Sequence, residues 1–381
     1  MKDGDMRRLI LLLSVLPWVY VNQTLAATPQ YSVTDLGTLP GYSSASYAYG
    51  INDSGQVVGY SLSNIATSWQ SFLYSGGTIQ NMGTLGGYTY NSFASAINNG
   101  GSIVGEIYSS SSPHAFLFNN GTMHDLGTFG GPSSYAYGIN SSGQVVGRAD
   151  GNGGIYGGYP TYAFLYSGGM MQNLGTLGGA DSYAYGINDS GQVVGVAWNS
   201  NQYEHAFLYT GGTMYDLGTL GGTSSQANAI NNGGQIVGDA ETSSGSYHAF
   251  LYENGAMQDL GTLSNYTYSS DALGVNDGGL IVGDAQNGGD ADDGNYEHAF
   301  LYSGGTMYDV NSLIPTTSGW TVDAAEAINA EGEIVGYGTN SSGQTHALLL
   351  TPTPEPSTFV LVGVGAISLA AYAWQKRRQS A

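Results

Sequence analysis

Residues 184–220 read AYGINDSGQVVGVAWNSNQYEHAFLYTGGTMYDLGTL. Four short β-branched or aromatic runs stand out: Ala184–Ile187, Val193–Val196, His205–Tyr209 and Asp216–Leu220. Each is bounded by Gly, Asn or Ser, so each reads as a strand. In Asn188-Asp189-Ser190-Gly191 the Asn forms an Asx-turn and the Gly takes positive φ, which closes a tight hairpin. Thr210-Gly211-Gly212 does the same between the third and fourth runs.

The unit recurs through the body of the chain. The Asp-Leu-Gly-Thr-Leu element begins at Asp35, Asn81, Asp125, Asn173, Asp216, Asp259 and, degraded, at Asp309. A second element ends at Asn52, Asn98, Asn140, Asn188, Asn231, Asn276 and Asn329. A third starts at Gly55, Gly101, Gly143, Gly191, Gly234, Gly279 and Gly332, and a fourth ends at Tyr74, Phe118, Tyr166, Tyr209, Tyr252, Tyr302 and Leu350. Four antiparallel strands in a period of about 45 residues predict β-propeller blades. The chain opens with a fourth-type strand (31–39) and ends on a third-type strand (346–350). A ring uses that offset, because the N-terminal strand completes the last blade and leaves no open sheet edge. The expected fold is all-β: a seven-bladed propeller of four-stranded blades over residues 27–350, with a β-sandwich array or β-solenoid as the alternatives.

The clearest copy, His205-Ala206-Phe207-Leu208-Tyr209 followed by Asp216-Leu217-Gly218-Thr219-Leu220-Gly221-Gly222, resembles the HAF family of extracellular repeats. Ser71 and Tyr162 replace the histidine in two copies, and the last reads His346-Ala347-Leu348. The resemblance implies an extracellular location and brings no activity with it.

Both ends carry addresses. Arg7, Arg8 and the apolar run Leu9–Val21 resemble a secretory signal peptide over residues 1–26. Thr353-Pro354-Glu355-Pro356-Ser357, an uncharged run at 359–374 and the basic tail Lys376-Arg377-Arg378 together resemble the PEP-CTERM sorting signal. That resemblance implies a linker at 351–358, a transmembrane helix at 359–374 and a cytoplasmic tail at 375–381. It also implies export through the inner membrane, an exosortase-type processing partner, and release or anchoring at the surface of a cell that makes biofilm matrix.

Composition excludes several functions. There is no cysteine in the 381 residues, hence no disulfide framework and no thiol catalysis. Arg148 is the only basic residue between Ala27 and Leu350, against 25 acids there. Nucleic-acid binding lacks its electrostatic footprint. There is no Walker loop, no Gly-x-Ser-x-Gly, no His-Glu-x-x-His, and no lysine between 3 and 375.

Binding and catalytic candidates follow from blade geometry. The tight turns vary little, whereas the opposite face holds the insertions and is the expected binding face. It carries Trp69, Tyr88, Tyr90, Tyr156, Tyr159, Trp198, Tyr203 and Trp320, which suit stacking on sugar rings or pinning their own loops. Asp271, Asp323 and Glu326 lie at or near the innermost strand and are the candidate catalytic carboxylates of a glycoside hydrolase or lyase. Asp284, Asp290, Asp292 and Asp293 fall in an insertion rich in hard oxygen donors, a possible calcium loop without the Asp-x-Asp-x-Asp-Gly register. The repeated histidines begin the third strand, too far out to converge on a metal, so an interblade hydrogen bond or a packing role is expected. The sequence favours a non-catalytic matrix-binding or structural protein. A carbohydrate-active enzyme and a protein-interaction platform are the alternatives.

Overall fold

Seven four-stranded antiparallel sheets form in chain order. The fourth blade shows the pattern, with strands Gly178–Ile187, Val193–Asn199, Glu204–Thr210 and Thr213–Asp216. The first strands of all seven sheets line one central channel. The last sheet combines Trp320–Ile328, Ile334–Asn340 and Thr345–Pro352 with Tyr31–Gly37 as its outermost strand. This is the seven-bladed ring expected from the repeat order, closed by the N-terminal strand.

The computed structural model describes residues 29–63, 68–85, 91–108, 112–153, 158–288 and 297–354. It divides into two units, of which Tyr31–Thr351 is the propeller. The other comprises the terminal segments, where the Gln30 carbonyl accepts from the Thr353 N–H at 2.8 Å and its hydroxyl at 3.1 Å. The signal peptide, the 359–374 segment and the basic tail lie outside the described residues, as do Glu355, Pro356 and Ser357. Among the described residues no helix is long and apolar enough to cross a membrane.

The cores lie between blades. One cluster joins Val146, Ala163 and Leu174 of the third blade to Ala184, Val193, Ala197, Phe207 and Tyr209 of the fourth. The third-strand phenylalanines Phe72, Phe116, Phe164, Phe207, Phe250 and Phe300 are completely buried, and Leu348 takes their place in the last blade. The closure has its own cluster, with Leu36, Leu39, Val335 and Ala347 against Ala48, Val57 and Phe72.

Three polar devices repeat around the ring. Ser134 accepts from the Ala115 N–H at 2.9 Å and donates to the Gly127 carbonyl at 2.6 Å, tying the third blade to the second. Ser46 does the same to Ala347 and Gly37 across the closure. Nearer the axis, each turn asparagine donates its amide to the carbonyl of the next one, from Asn52 to Asn98 and round to Asn329, which returns to Asn52 at 3.3 Å. These buried groups form a closed ring of seven bonds. Asn188→Ala would strand the turn N–H groups of Ser190 and Gln192 and leave the Asn231 carbonyl with the Gly234 N–H as its one remaining donor among the described residues. The expected cost is about 1–3 kcal/mol, read as a lower urea midpoint with an unchanged slope.

The third device involves the repeated histidines, and here the structure differs from the interblade expectation. Each pairs within its own blade through Nδ1 to the aspartate that opens the Asp-Leu-Gly element, or its degraded copy at Asp309, at 2.8 to 3.0 Å. His346 reaches Asp35 at 2.9 Å, so in the last blade the pair bridges third strand and closing strand. The two copies that lack the histidine, with Ser71 and Tyr162, also have Asn81 and Asn173 where the others have aspartate.

Candidate functional site

Cross-strand neighbours on the first and second strands build a belt around the channel, nearer the variable-loop face than the asparagine ring. In the first blade Tyr47 pairs with Tyr60, in the second Phe93 with Glu106, in the third Tyr135 with Arg148. The belt continues through Tyr183 and Val196, Gln226 and Asp239, Asp271 and Asp284, and Ala324 and Tyr337. It closes on itself, since Tyr337 meets Tyr47 edge-on at 5.0 Å.

The belt has two chemical halves. In blades one to four the rings interlock, with Tyr47 on Tyr60 at 5.1 Å and Tyr60 on Phe93 at 4.9 Å. Arg148 lies between Tyr135 and Tyr183, 4.3 and 4.7 Å from their centroids, an arrangement that holds the body's single cation by cation–π attraction. Burial pushes the neighbouring Glu106 carboxyl up to about 8, against the opposing pull of Arg148. Its Oε2 and the Arg148 Nε are buried without hydrogen-bond partners among the described residues.

Blades five to seven supply carboxylates. Desolvation raises Asp239 and Asp284 to about 7 and Glu326 to about 8, with repulsion from neighbouring acids adding to each. Asp271 is raised well above the usual carboxylate range by burial and then by Asp239, Asp284 and Glu326, although the Asn228 amide donates to its Oδ1 at 2.7 Å. Below the belt Tyr49, Tyr137, Tyr185, Asn228, Leu273 and Glu326 line a channel cavity of about 240 Å³.

Glu326 therefore lines the channel cavity, and Asp271 of the neighbouring blade lies within its field. Asp323 stands apart. It is the extra residue of a bulge between Val322 and Ala324, a register break that no other blade has at this position. A bulge re-aims a side chain, and Asp323 lines a separate cavity of about 310 Å³ with Trp320, Thr339 and Asn340. Its carboxyl is raised to about 6 by burial, opposed by the Thr339 hydroxyl that donates to Oδ2 at 2.7 Å. The three carboxylates thus belong to two places.

The aromatic candidates divide likewise. Trp69 packs edge-on against Tyr108 at 5.6 Å, and Trp198 against Tyr183 at 5.3 Å. Trp320 lies 5.5 Å from the His346 ring and packs on a core cluster while lining the 310 Å³ cavity. Tyr159 and Tyr203 are exposed, at 52% and 47%, and Tyr247, which the sequence reading passed over, is 39% exposed. These three lie at the entry to the third strand of three consecutive blades. An aromatic one to three residues before the histidine position of the third strand in successive repeats was the signal available in the sequence. Tyr88, Tyr90 and Tyr156 lie outside the described residues.

Of the calcium candidates, Asp284 is a strand residue facing the belt, opposite Asp271 and Ala299. Asp290, Asp292 and Asp293 lie outside the described residues. Among the described residues no group of three or more His, Asp and Glu is arranged to hold a metal ion.

Similarity to known proteins bears on the fold and on the C-terminus. Among solved structures, a Mycobacterium tuberculosis puromycin-hydrolyzing peptidase matches at TM-score 0.51 and 11% identity, over 84% of this chain and 56% of that one. TolB from Acinetobacter baumannii matches at TM-score 0.44 and 12% identity, over 79% of this chain and 64% of that one. A lectin from Aleuria aurantia matches at TM-score 0.37 and 11% identity, over 86% and 97%. The chain thus spans less than two thirds of the first two, and at such identities likeness speaks to fold alone. No curated protein matches the sequence. The family model for the PEP-CTERM protein-sorting motif matches residues 352–378, a signal for export and exosortase processing. The chain is a seven-bladed β-propeller that carries a PEP-CTERM sorting motif at its C-terminal end.

Proposed function

We propose that this exported propeller is a non-catalytic binding protein of the extracellular matrix, and that its variable-loop face holds a polysaccharide chain. The observation that carries the reading is the row of exposed tyrosines Tyr159, Tyr203 and Tyr247 on three consecutive blades. A phenol presents a flat apolar face with a polar tip, which suits the C–H face and the hydroxyls of successive sugar rings. The resemblance to HAF repeats agrees with an extracellular role. The acidic body would repel an anionic polymer, so an uncharged polymer is the one proposed. Catalysis is the weaker reading, because the candidate carboxylates divide between the channel and the Asp323 cavity.

The test is co-sedimentation of the purified full chain with the producing organism's neutral exopolysaccharide, with and without calcium. Saturable binding is expected, at least roughly tenfold weaker in the triple variant Tyr159→Ser, Tyr203→Ser, Tyr247→Ser, since stacked rings contribute about 0.5–1.5 kcal/mol each. Equal binding by that variant, or none by the parent chain, removes the reading and directs attention to a protein partner. A calcium requirement would restore the 284–293 loop as a metal site. Release of reducing ends, abolished by Glu326→Gln, would establish the enzyme instead.

A further inference from the structure

The cavity in the last blade is built from features that the other six blades lack among the described residues. The connection into this blade carries a short 3-10 turn, Val310–Ser312, and Val310, Leu313 and Ile314 are buried, which pins the loop that follows. The Asn311 side chain is spent on the backbone, accepting from the Val322 N–H at 2.7 Å and donating to the Val322 carbonyl at 3.0 Å. That clamp fixes the strand just before the bulge and aims Asp323 at the space beside Trp320. One carboxylate oxygen, Oδ2, takes the Thr339 hydroxyl, and Oδ1 has no hydrogen-bond donor among the described residues. The result is a concave site of about 310 Å³ on the variable-loop face, with an aromatic wall, an acceptor-only carboxylate and small hydroxyl side chains at its rim. Its size is at the lower end for small-molecule pockets.

We propose that this pocket binds a single terminal pyranose, with the apolar face of the ring against Trp320 and a ring hydroxyl donated to Asp323. The inference rests on the polysaccharide reading above: the tyrosine row takes the length of a chain and the pocket takes its end. A neutral ring fits better than a charged one. A second carboxylate would meet Asp323 and nearby Glu297, and a lone ammonium would fill too little of a 310 Å³ space to match its size. Asp323 ionised is the natural acceptor for a sugar hydroxyl, a charge-assisted bond stronger than a neutral one.

The experiment is titration of the full chain with the methyl α-glycosides of glucose, galactose and mannose, followed by ligand-observed NMR and by tryptophan fluorescence. At least one glycoside is expected to bind saturably and to perturb tryptophan emission. Asp323→Asn, which keeps the shape, is expected to weaken it roughly tenfold, the value of one hydrogen bond to a charged group. Trp320→Phe is expected to abolish the fluorescence response and lower the affinity. Should the Trp320 variant fail to fold, Asp323→Asn decides alone. The triple tyrosine variant is expected to bind the monosaccharide unchanged. No saturable binding by any of the three glycosides, or affinity untouched by Asp323→Asn, overturns the proposal. So does loss of monosaccharide binding in the tyrosine variant. Monosaccharide binding without polymer binding would remove the tyrosine row and leave the pocket standing.

Discussion

Gly195→Ala is expected to destabilise the propeller by at least about 3 kcal/mol, the range of severe core substitutions. A Cβ at Gly195 would lie 2.0 Å from the Tyr183 carbonyl oxygen and 2.9 Å from the Ala184 Cα, both of them backbone. No side-chain rotation relieves that contact, so the two innermost strands would have to separate. Gly195 sits directly opposite Ala184, just before the bulge between Ala184 and Gly186 on the facing strand. The same clash, at 1.9 to 2.0 Å, recurs at Gly59, Gly105, Gly147, Gly238, Gly283 and Gly336. Gly158→Ala is the control, because nothing lies within 4 Å of its Cβ and its φ is not positive. Urea unfolding should show a much lower midpoint for Gly195→Ala and a shift of less than about 0.5 kcal/mol for Gly158→Ala. Equal, small shifts in the two variants would mean that the inner strands are not packed as described.

The second large effect is on pH. Asp239 and Asp284 stand near 7 and Glu106 and Glu326 near 8 in the folded chain, with Asp271 also raised, all chiefly through desolvation. Unfolded, such groups titrate near 4. A carboxyl that holds its proton more tightly when folded contributes stability at acid pH. The contribution is lost as pH rises from the unfolded value through the folded one. Asp189 and Asp309 are lowered and act in the opposite sense, but only as pH falls below about 4. The propeller should therefore be most stable near pH 4 and weaken toward pH 8.5. One unit of net shift is about 1.4 kcal/mol, so the melting temperature should drop by at least about 3 °C across that interval. Asp271→Asn should flatten the decline and raise stability at pH 8, since the neutral amide avoids charging a buried site. A melting temperature that rises with pH would show that the channel acids are solvated.

The repeat made most of the architecture legible. Strand number, blade count and closure by residues 31–37 could be read because turn glycines and alternating apolar residues are local signals, and the offset of the termini is a matter of order. The histidine partner was present too, since Ser71 and Tyr162 change together with Asn81 and Asn173. Reading it needed the pairing of third and fourth strands within one blade, which brings residues 11 apart together. The row of exposed tyrosines was only partly legible, because exposure depends on what the loops cover. Trp69 and Trp198 look identical to Tyr203 in sequence, yet each packs edge-on against a neighbouring tyrosine.

What the sequence determined by itself was the ring and its sorting address, because both rest on short-range patterns repeated or placed at an end. What only the tertiary structure decided was which carboxylates meet. Asp271 and Glu326 lie in one field because neighbouring blades converge on the axis, which brings together residues more than 50 positions apart. Asp323, three residues from Glu326, leaves that field because one extra residue bulges its strand and turns its side chain into the Trp320 pocket. Side-chain direction in a strand has period two, and a single inserted residue reverses it. That reversal depends on register, which no local reading of the sequence supplies.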